Sequence, residues 1–215
     1  MCDLKIISWN VNGLNNEVKR KSILLYLDRE GGDILFLQET HLKKYCNQKL
    51  KKDIKGQLFY SALEVSKRGV VIIIKSNINF EKEEVWIDKE GRYVMVIGKI
   101  ESIQVTLLNV YYPPEQDATF MKQLIDIVVT KSKGVVIAGG DLNLTMNPKL
   151  DSSKAKLHRA EKVADMLRKA CSELGFMDVW RTLHPNKKEY TFYSGRHSVY
   201  NRLDYFLCLK TISQM

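Results

Sequence analysis

Hydrophobic positions along the chain follow two rhythms, and each predicts a type of element. Runs of β-branched or alternating apolar residues predict strands at residues 4–10, 33–38, 70–75, 93–100, 105–111, 135–138 and 202–209. Shorter β-prone stretches at 59–63, 80–86 and 190–193 extend the set. A helical period predicts helices at 117–131, with Phe120, Leu124, Ile127 and Val128 on one face, and at 157–174. The second turns Ala160, Val163, Ala164, Leu167, Ala170, Cys171 and Leu174 inward, with Gly175 as its C-terminal cap. A third, at 18–29, buries Ile23 and Leu27. Many strands, few helices and repeated strand-to-strand steps do not suit a strictly alternating parallel sheet. They predict an α/β (α+β) fold of two packed sheets with helices on the outer faces.

The strand at 135–138 runs into Gly139-Gly140-Asp141-Leu142-Asn143. Two glycines allow a sharp turn at the strand end. An acid and an amide follow two positions apart, on one side if the chain stays extended. Four other segments end in the same way. Trp9-Asn10-Val11-Asn12-Gly13 offers two amides, and Gln38-Glu39-Thr40-His41 an amide, an acid, a hydroxyl and an imidazole. Asn109-Val110-Tyr111 ends in a phenol, and Arg202-Leu203-Asp204 sets one acid in an apolar strand. Taken singly, each has an ordinary explanation. Asn10, Asn12 and Gly13 suit a turn, Glu39 a solvated loop, Asp204 an ion pair with an arginine, and His41 a satisfied loop histidine. Five polar strand ends taken together predict a shared ligand. Glu39, Asp141 and Asp204 supply hard oxygen donors of the kind magnesium prefers. Phosphodiester hydrolysis needs charge neutralisation, a base and hydrogen-bond donors, and this set contains them.

Composition narrows the partner. Lys and Arg number 34 against 25 Asp and Glu, giving a net charge of +9 and favouring a polyanion, most simply nucleic acid. No apolar run approaches the ~20 residues that cross a bilayer, and no signal peptide precedes the first strand pattern. Cys2, Cys46, Cys171 and Cys208 form no Cys-x-x-Cys pair and read as reduced thiols of an intracellular protein. Gly-x-Ser-x-Gly and Gly-x-x-x-x-Gly-Lys-Ser/Thr are both absent, which argues against a serine hydrolase and a phosphate-loop enzyme. Without repeats or linkers, residues 1–215 are expected to form one domain.

In order and content the strand-end motifs resemble the exonuclease–endonuclease–phosphatase superfamily. Gln38-Glu39-Thr40-His41-Leu42, Asp178-Val179-Trp180-Arg181-Thr182-Leu183-His184-Pro185 and Tyr190-Thr191-Phe192-Tyr193-Ser194 are similar to the endonuclease domain of LINE-type, non-LTR retrotransposon polyproteins. The resemblance spans residues 4 to about 209. It implies a four-layered sandwich of two mixed sheets flanked by helices. It also implies a Mg2+-dependent nuclease, with Mn2+ as a substitute, acting on double-stranded DNA in the nucleus. Such an enzyme nicks one strand and leaves a 3′ hydroxyl that primes a downstream reverse-transcriptase domain. By position, Glu39 would be the main metal ligand with Asn10 beside it, and Tyr111 would contact the scissile phosphate. Asp141 would activate water, Asn143 would hold the phosphate, and Asp204 would lie near metal and leaving group. Asn12, Thr191, Arg196, His197, Tyr200 and Arg202 would contact DNA.

The chain departs from the family's pattern slightly at Ser152, where a basic residue often follows the matching Asp151, and seriously at its end. The family ends in a Ser-Asp-His motif on a later strand, whereas His41, His158, His184 and His197 all precede Asp204. A last strand is therefore expected to be missing, leaving an open sheet edge. A catalytically silent DNA-binding remnant is the rival expectation, and an abasic-site endonuclease or phosphatase of the same superfamily is another. Target preference and oligomeric state are not legible.

Overall fold

The computed structural model describes residues 3–43, 47–115, 118–154 and 161–210. Residues 117 and 157–160 of the expected helices, with Cys2, Cys46 and His158, lie outside these. One mixed sheet holds β1 (Ile6–Asn10), β2 (Ile34–Gln38), β3 (Gly56–Ser61) and β4 (Val70–Lys75) in the order β1-β2-β4-β3. β1 and β2 run parallel, joined through α1 (Glu17–Arg29), whose cap Asn16 accepts from Lys19 N–H at 2.9 Å. The short α2 (Asn47–Asp53) leads into β3.

The second sheet begins with β5 (Phe80–Ile87), β6 (Tyr93–Ile100) and β7 (Ile103–Tyr111). α3 (Ala118–Lys131) then crosses over to β8 (Val135–Asp141), which is parallel to β7. α4 (Pro148–Asp151), α5 (Glu161–Leu174), β9 (Met177–Asp178) and α6 (Val179–Leu183) follow. A hairpin of β10 (Phe192–Ser194) and β11 (Val199–Asn201) precedes β12 (Asp204–Lys210), and the sheet order is β5-β6-β7-β8-β12-β9.

Side-chain alternation builds the layers. On β2, Leu35 and Leu37 pack with Ile23, Leu24 and Leu27 of α1. Ile34 and Phe36 face the other way, against Val94, Val96 and Leu107 of the second sheet. Met95, Ile97 and Leu108 then meet Phe120 and Leu124 of α3 and Val163 and Leu167 of α5. The result is the expected helix–sheet–sheet–helix sandwich. Strands buried on both faces explain the near-continuous apolar runs. Among the described residues β1 pairs on one side only, and Trp9 at its end remains partly exposed.

The expected turn at Gly139-Gly140 is not a turn. β8 continues through both glycines to Asp141, paired with Phe206, Tyr205 and Asp204 of β12. Close approach is the physical reason for glycine here. A Cβ on Gly140 (φ +133°) would lie 2.0 Å from the Val110 carbonyl oxygen, and one on Gly139 would lie 2.7 Å from the Phe206 ring. α2, α4, α6, β9 and β11 were not anticipated, because helices of seven residues or fewer complete at most two turns and strands of two or three residues show no alternation.

Gly140→Ala is expected to unfold the chain or lower its stability by well over about 2 kcal/mol, since neither backbone can give way. Gly195→Ala, with open space around it, should stay within about 0.5 kcal/mol of wild type. Chemical denaturation of the two variants checks the contrast.

Candidate active site

The strands β1, β2, β7 and β8 end at one edge of the sandwich, where their polar residues meet. Asn10 closes β1, and its Nδ2 donates to Glu39 Oε1 at 2.8 Å and to Asp141 Oδ2 at 2.9 Å. One amide thus ties together three sequence-distant segments. Asp141 Oδ1 accepts from the Asn143 backbone N–H at 2.9 Å, a turn that leaves Asn143 at the rim with φ 49°. Glu39, itself at φ 51°, also faces His41, whose Nε2 lies 3.2 Å from Oε2. Tyr111 is buried and hydrogen-bonds Glu39. Asp204 stands directly opposite Asp141 in the antiparallel pairing of β12 with β8.

Electrostatics follow from burial. Asp141 is 7% exposed. Desolvation, then the charge of Asp204, pushes its carboxyl up to about 7, although hydrogen bonds from Asn10 and Asn143 oppose the shift. Asp204 is also raised, by burial, against a bond from the Thr191 hydroxyl. Tyr111 is pushed well above the ordinary phenol range by burial and by Glu39, so it stays a proton donor.

Among the described residues, no three His, Cys, Asp or Glu side chains form a ready-made metal cage. The donor set nevertheless fits a hard divalent cation. Magnesium is held by one or two carboxylates and retains waters and substrate oxygens. Glu39 and Asp141 share one amide donor, and burial beside Asp204, with no cation paired to it among the described residues, disfavours the charged form of Asp141.

The expected DNA contacts divide. Asn12 is exposed beside Asn10, and Arg196, His197 and Tyr200 are exposed on the hairpin. Thr191 Oγ1 accepts from the N–H groups of Leu203 (3.0 Å) and Asp204 (3.3 Å), so this hydroxyl positions Asp204. Arg202 requires correction: it is 3% exposed and cannot reach a ligand. Its guanidinium is committed to Asp151 (Nε–Oδ1 2.9 Å) and Asp178 (Nη2–Oδ2 2.6 Å). Sequence reading missed this cage, in which Arg181 also bonds the fully buried Asp151 at 2.6 Å. Sequence reading also left Gln38 and Asn109 without a role. They are fully buried and bonded to each other at 2.7 Å beneath the site.

A groove of about 790 Å³ opens beside Asn143, lined among others by Tyr112, Arg168, Phe192 and His197. No described helix is long and apolar enough to cross a membrane.

Residues 7–208 match the Endonuclease/Exonuclease/phosphatase family. A 149 kDa transposon TX1 protein of Xenopus laevis is 28% identical over 207 residues, covering 94% of this chain and 16% of that protein. The chain therefore spans about a sixth of that relative. A DNA-(apurinic or apyrimidinic site) endonuclease of Dictyostelium discoideum is 30% identical over 97% of this chain and 63% of its own length. The catalytic domain of Xenopus laevis APE2 superposes with a TM-score of 0.73 at 22% identity, covering 95% of this chain and 82% of that one. An AP endonuclease from Leishmania major gives 0.74 at 19% identity, covering 95% and 78%. These two structures share the fold.

Two predictions follow from the charges. The raised Asp141 carboxyl makes the folded state hold a proton that the unfolded state releases near pH 4. Its ionisation therefore costs stability as pH rises from about 4 to about 7. With a chelator present, Asp141→Asn should gain melting temperature over wild type progressively across that window, and Mg2+ at pH 8 should close the gap. A pH-independent difference in differential scanning fluorimetry would contradict the assignment. Arg202→Ala should cost about 3–5 kcal/mol by leaving Asp178 without its charge partner and the fully buried Asp151 with Arg181 alone. Exposed Arg196→Ala should cost almost nothing, and urea melts compare the two.

Proposed function

The chain belongs to the endonuclease/exonuclease/phosphatase family, and from that premise we propose that it is a metal-dependent endonuclease that nicks one strand of duplex DNA. One observation carries the reading: Asn10, Glu39, Tyr111, Asp141, Asn143 and Asp204 come from five separate segments to one edge. A nick leaving a 3′ hydroxyl suits priming of reverse transcription, and similarity to the TX1 transposon protein favours that setting. We place the reaction in the nucleus, where duplex DNA is found, with the reverse transcriptase as a further domain of the natural product.

The residues have separable roles. Asp141, held near pH 7 by burial and Asp204, is tuned to take a proton from an attacking water. Asn10 fixes that carboxylate and the Glu39 carboxylate through one amide. Asn143, at the rim, offers its side-chain amide to a phosphate oxygen. Tyr111 remains protonated against Glu39 and can donate to the scissile phosphate. Glu39, with Asn10 bonded to it and Asp204 opposite Asp141, would hold Mg2+ or Mn2+. A bound ion there supplies offset of the phosphoryl charge.

Abasic-site cleavage is the second reading, favoured by the 30% identity to the Dictyostelium enzyme. Conversion of supercoiled plasmid to nicked circle in Mg2+ tests the first reading, and rates on intact and abasic duplexes separate the two. Asp141→Ala should slow nicking by about 10²–10⁴-fold, the usual worth of a positioned base. Salt-dependent binding with no cleavage would replace both readings with a silent DNA-binding protein.

A further inference from the structure

The hairpin of β10 and β11 carries a surface that the proposed chemistry leaves unused. Its register opposes Tyr193 to Tyr200 and Phe192 to Asn201. The two tyrosines therefore share one face, while Phe192 and Asn201 share the other and line the groove beside Asn143. The Tyr193 and Tyr200 rings lie 4.5 Å apart at 36°, and Tyr200 stacks on Tyr190 at 6.0 Å and 28°. Tyr193 and Tyr200 are each 50% exposed. Two half-exposed rings tilted together, the second stacked on a half-buried third, form an aromatic patch that soluble proteins seldom leave without a use.

The ladder is held in place. Ser153 donates its N–H to the Tyr200 carbonyl at 2.9 Å, and its Oγ accepts from Tyr200 N–H at 3.0 Å. Ser152 bridges to Asn201, and Lys154 Nζ reaches the His197 carbonyl at 3.2 Å. Thr191 ties the hairpin's base to the Asp204 backbone. A ligand would therefore find the rings already ordered. Of the five Lys or Arg in residues 179–203, Arg181 and Arg202 are committed to Asp151 and Asp178, while Lys187, Lys188 and Arg196 are exposed against one acid, Glu189, a balance that favours a polyanion over an apolar protein partner.

We propose that Tyr190, Tyr193 and Tyr200 form a stacking platform for unpaired nucleobases, so that the preferred substrate is DNA with unpaired bases next to the nicked bond. This deepens, and rests on, the nuclease reading above. Any base can stack on tyrosine whatever its identity, and the flanking cations would take the phosphates. A fully paired duplex keeps its base faces covered and leaves the ladder idle.

Fluorescence anisotropy with the 215-residue chain and a chelator tests this on three labelled duplexes. One is fully paired, one has a short central bubble, and one has abasic sites in place of the bubble's bases. The base-containing bubble should bind about fivefold or more tighter than the paired duplex. The abasic bubble should fall back to the paired level, and 2-aminopurine in the bubble should be quenched on binding. Combining Tyr193→Ala with Tyr200→Ala should bring the bubble-to-paired ratio to about one. Combining Tyr193→Phe with Tyr200→Phe should preserve the ratio, which separates lost stacking from a lost fold. Equal affinity for the two bubbles, or unquenched 2-aminopurine, overturns the platform while duplex nicking still stands. Binding to none of the three DNAs overturns platform and nuclease together.

Discussion

A pair of buried amides locks the two sheets face to face. Asn109 of β7 donates to the carbonyls of Leu37, at 3.0 Å, and Val71, at 2.8 Å, both in the opposite sheet. Gln38 of β2 donates to Asn109 Oδ1 at 2.7 Å and to Ser8 Oγ at 3.0 Å. Apolar packing alone would tolerate a small slide of one sheet over the other, because it is non-directional. These amides do not tolerate it, since each orphaned buried group costs about 1–3 kcal/mol. A one-residue slip of β7 would replace Asn109 by Val110 and leave Gln38 facing hydrocarbon. The clasp thus fixes Glu39, next to Gln38, relative to Tyr111, two residues beyond Asn109. Their hydrogen bond is the visible consequence.

What the clasp fixes, the loops above it hold under strain. Asn12, Glu39, His41 and Asn143 all have positive φ without being glycine. Such backbone persists only where neighbours over-determine it. Here the Gly13 N–H donates to the Glu39 carbonyl at 2.7 Å, Leu14 N–H to Thr40, and His41 N–H to Arg68. The polar rim is therefore preorganised by backbone bonds. Its side chains need not be drawn into place by a ligand.

Legibility in the sequence followed physical type. Long strands and amphipathic helices were readable because burial on one or two faces writes a period into the chain. β4 and β6 match their expected limits to the residue. The strand-end motifs were readable for a related reason: a polar residue closing an apolar run has few inexpensive explanations. The glycines of β8 misled because the same residue serves turns and close approach, and only the position of Val110 distinguishes them. Arg202 misled because a charge in a basic chain suggests surface. Its partners Asp151 and Asp178 lie 51 and 24 residues away, and no periodicity announces such a cage.

That cage gives meaning to the candidate active site by contrast. Among the described residues, the fold neutralises several structural acids with arginine: Asp151 and Asp178 with Arg202, Asp53 with Arg20, Asp88 with Arg92. Among the described residues, no Lys or Arg ion pair reaches Glu39, Asp141 or Asp204, and Glu39 has only His41. Burying uncompensated carboxylates opposes folding, and the raised Asp141 carboxyl records that cost. An arginine at this edge would relieve the cost and would also occupy the space that a cation and a phosphate need. A basic chain with 34 Lys and Arg does not lack the means to place one there. Among the described residues, two acids sharing one amide and a third facing them, with no arginine between, form the electrostatic arrangement that the proposed cation would complete.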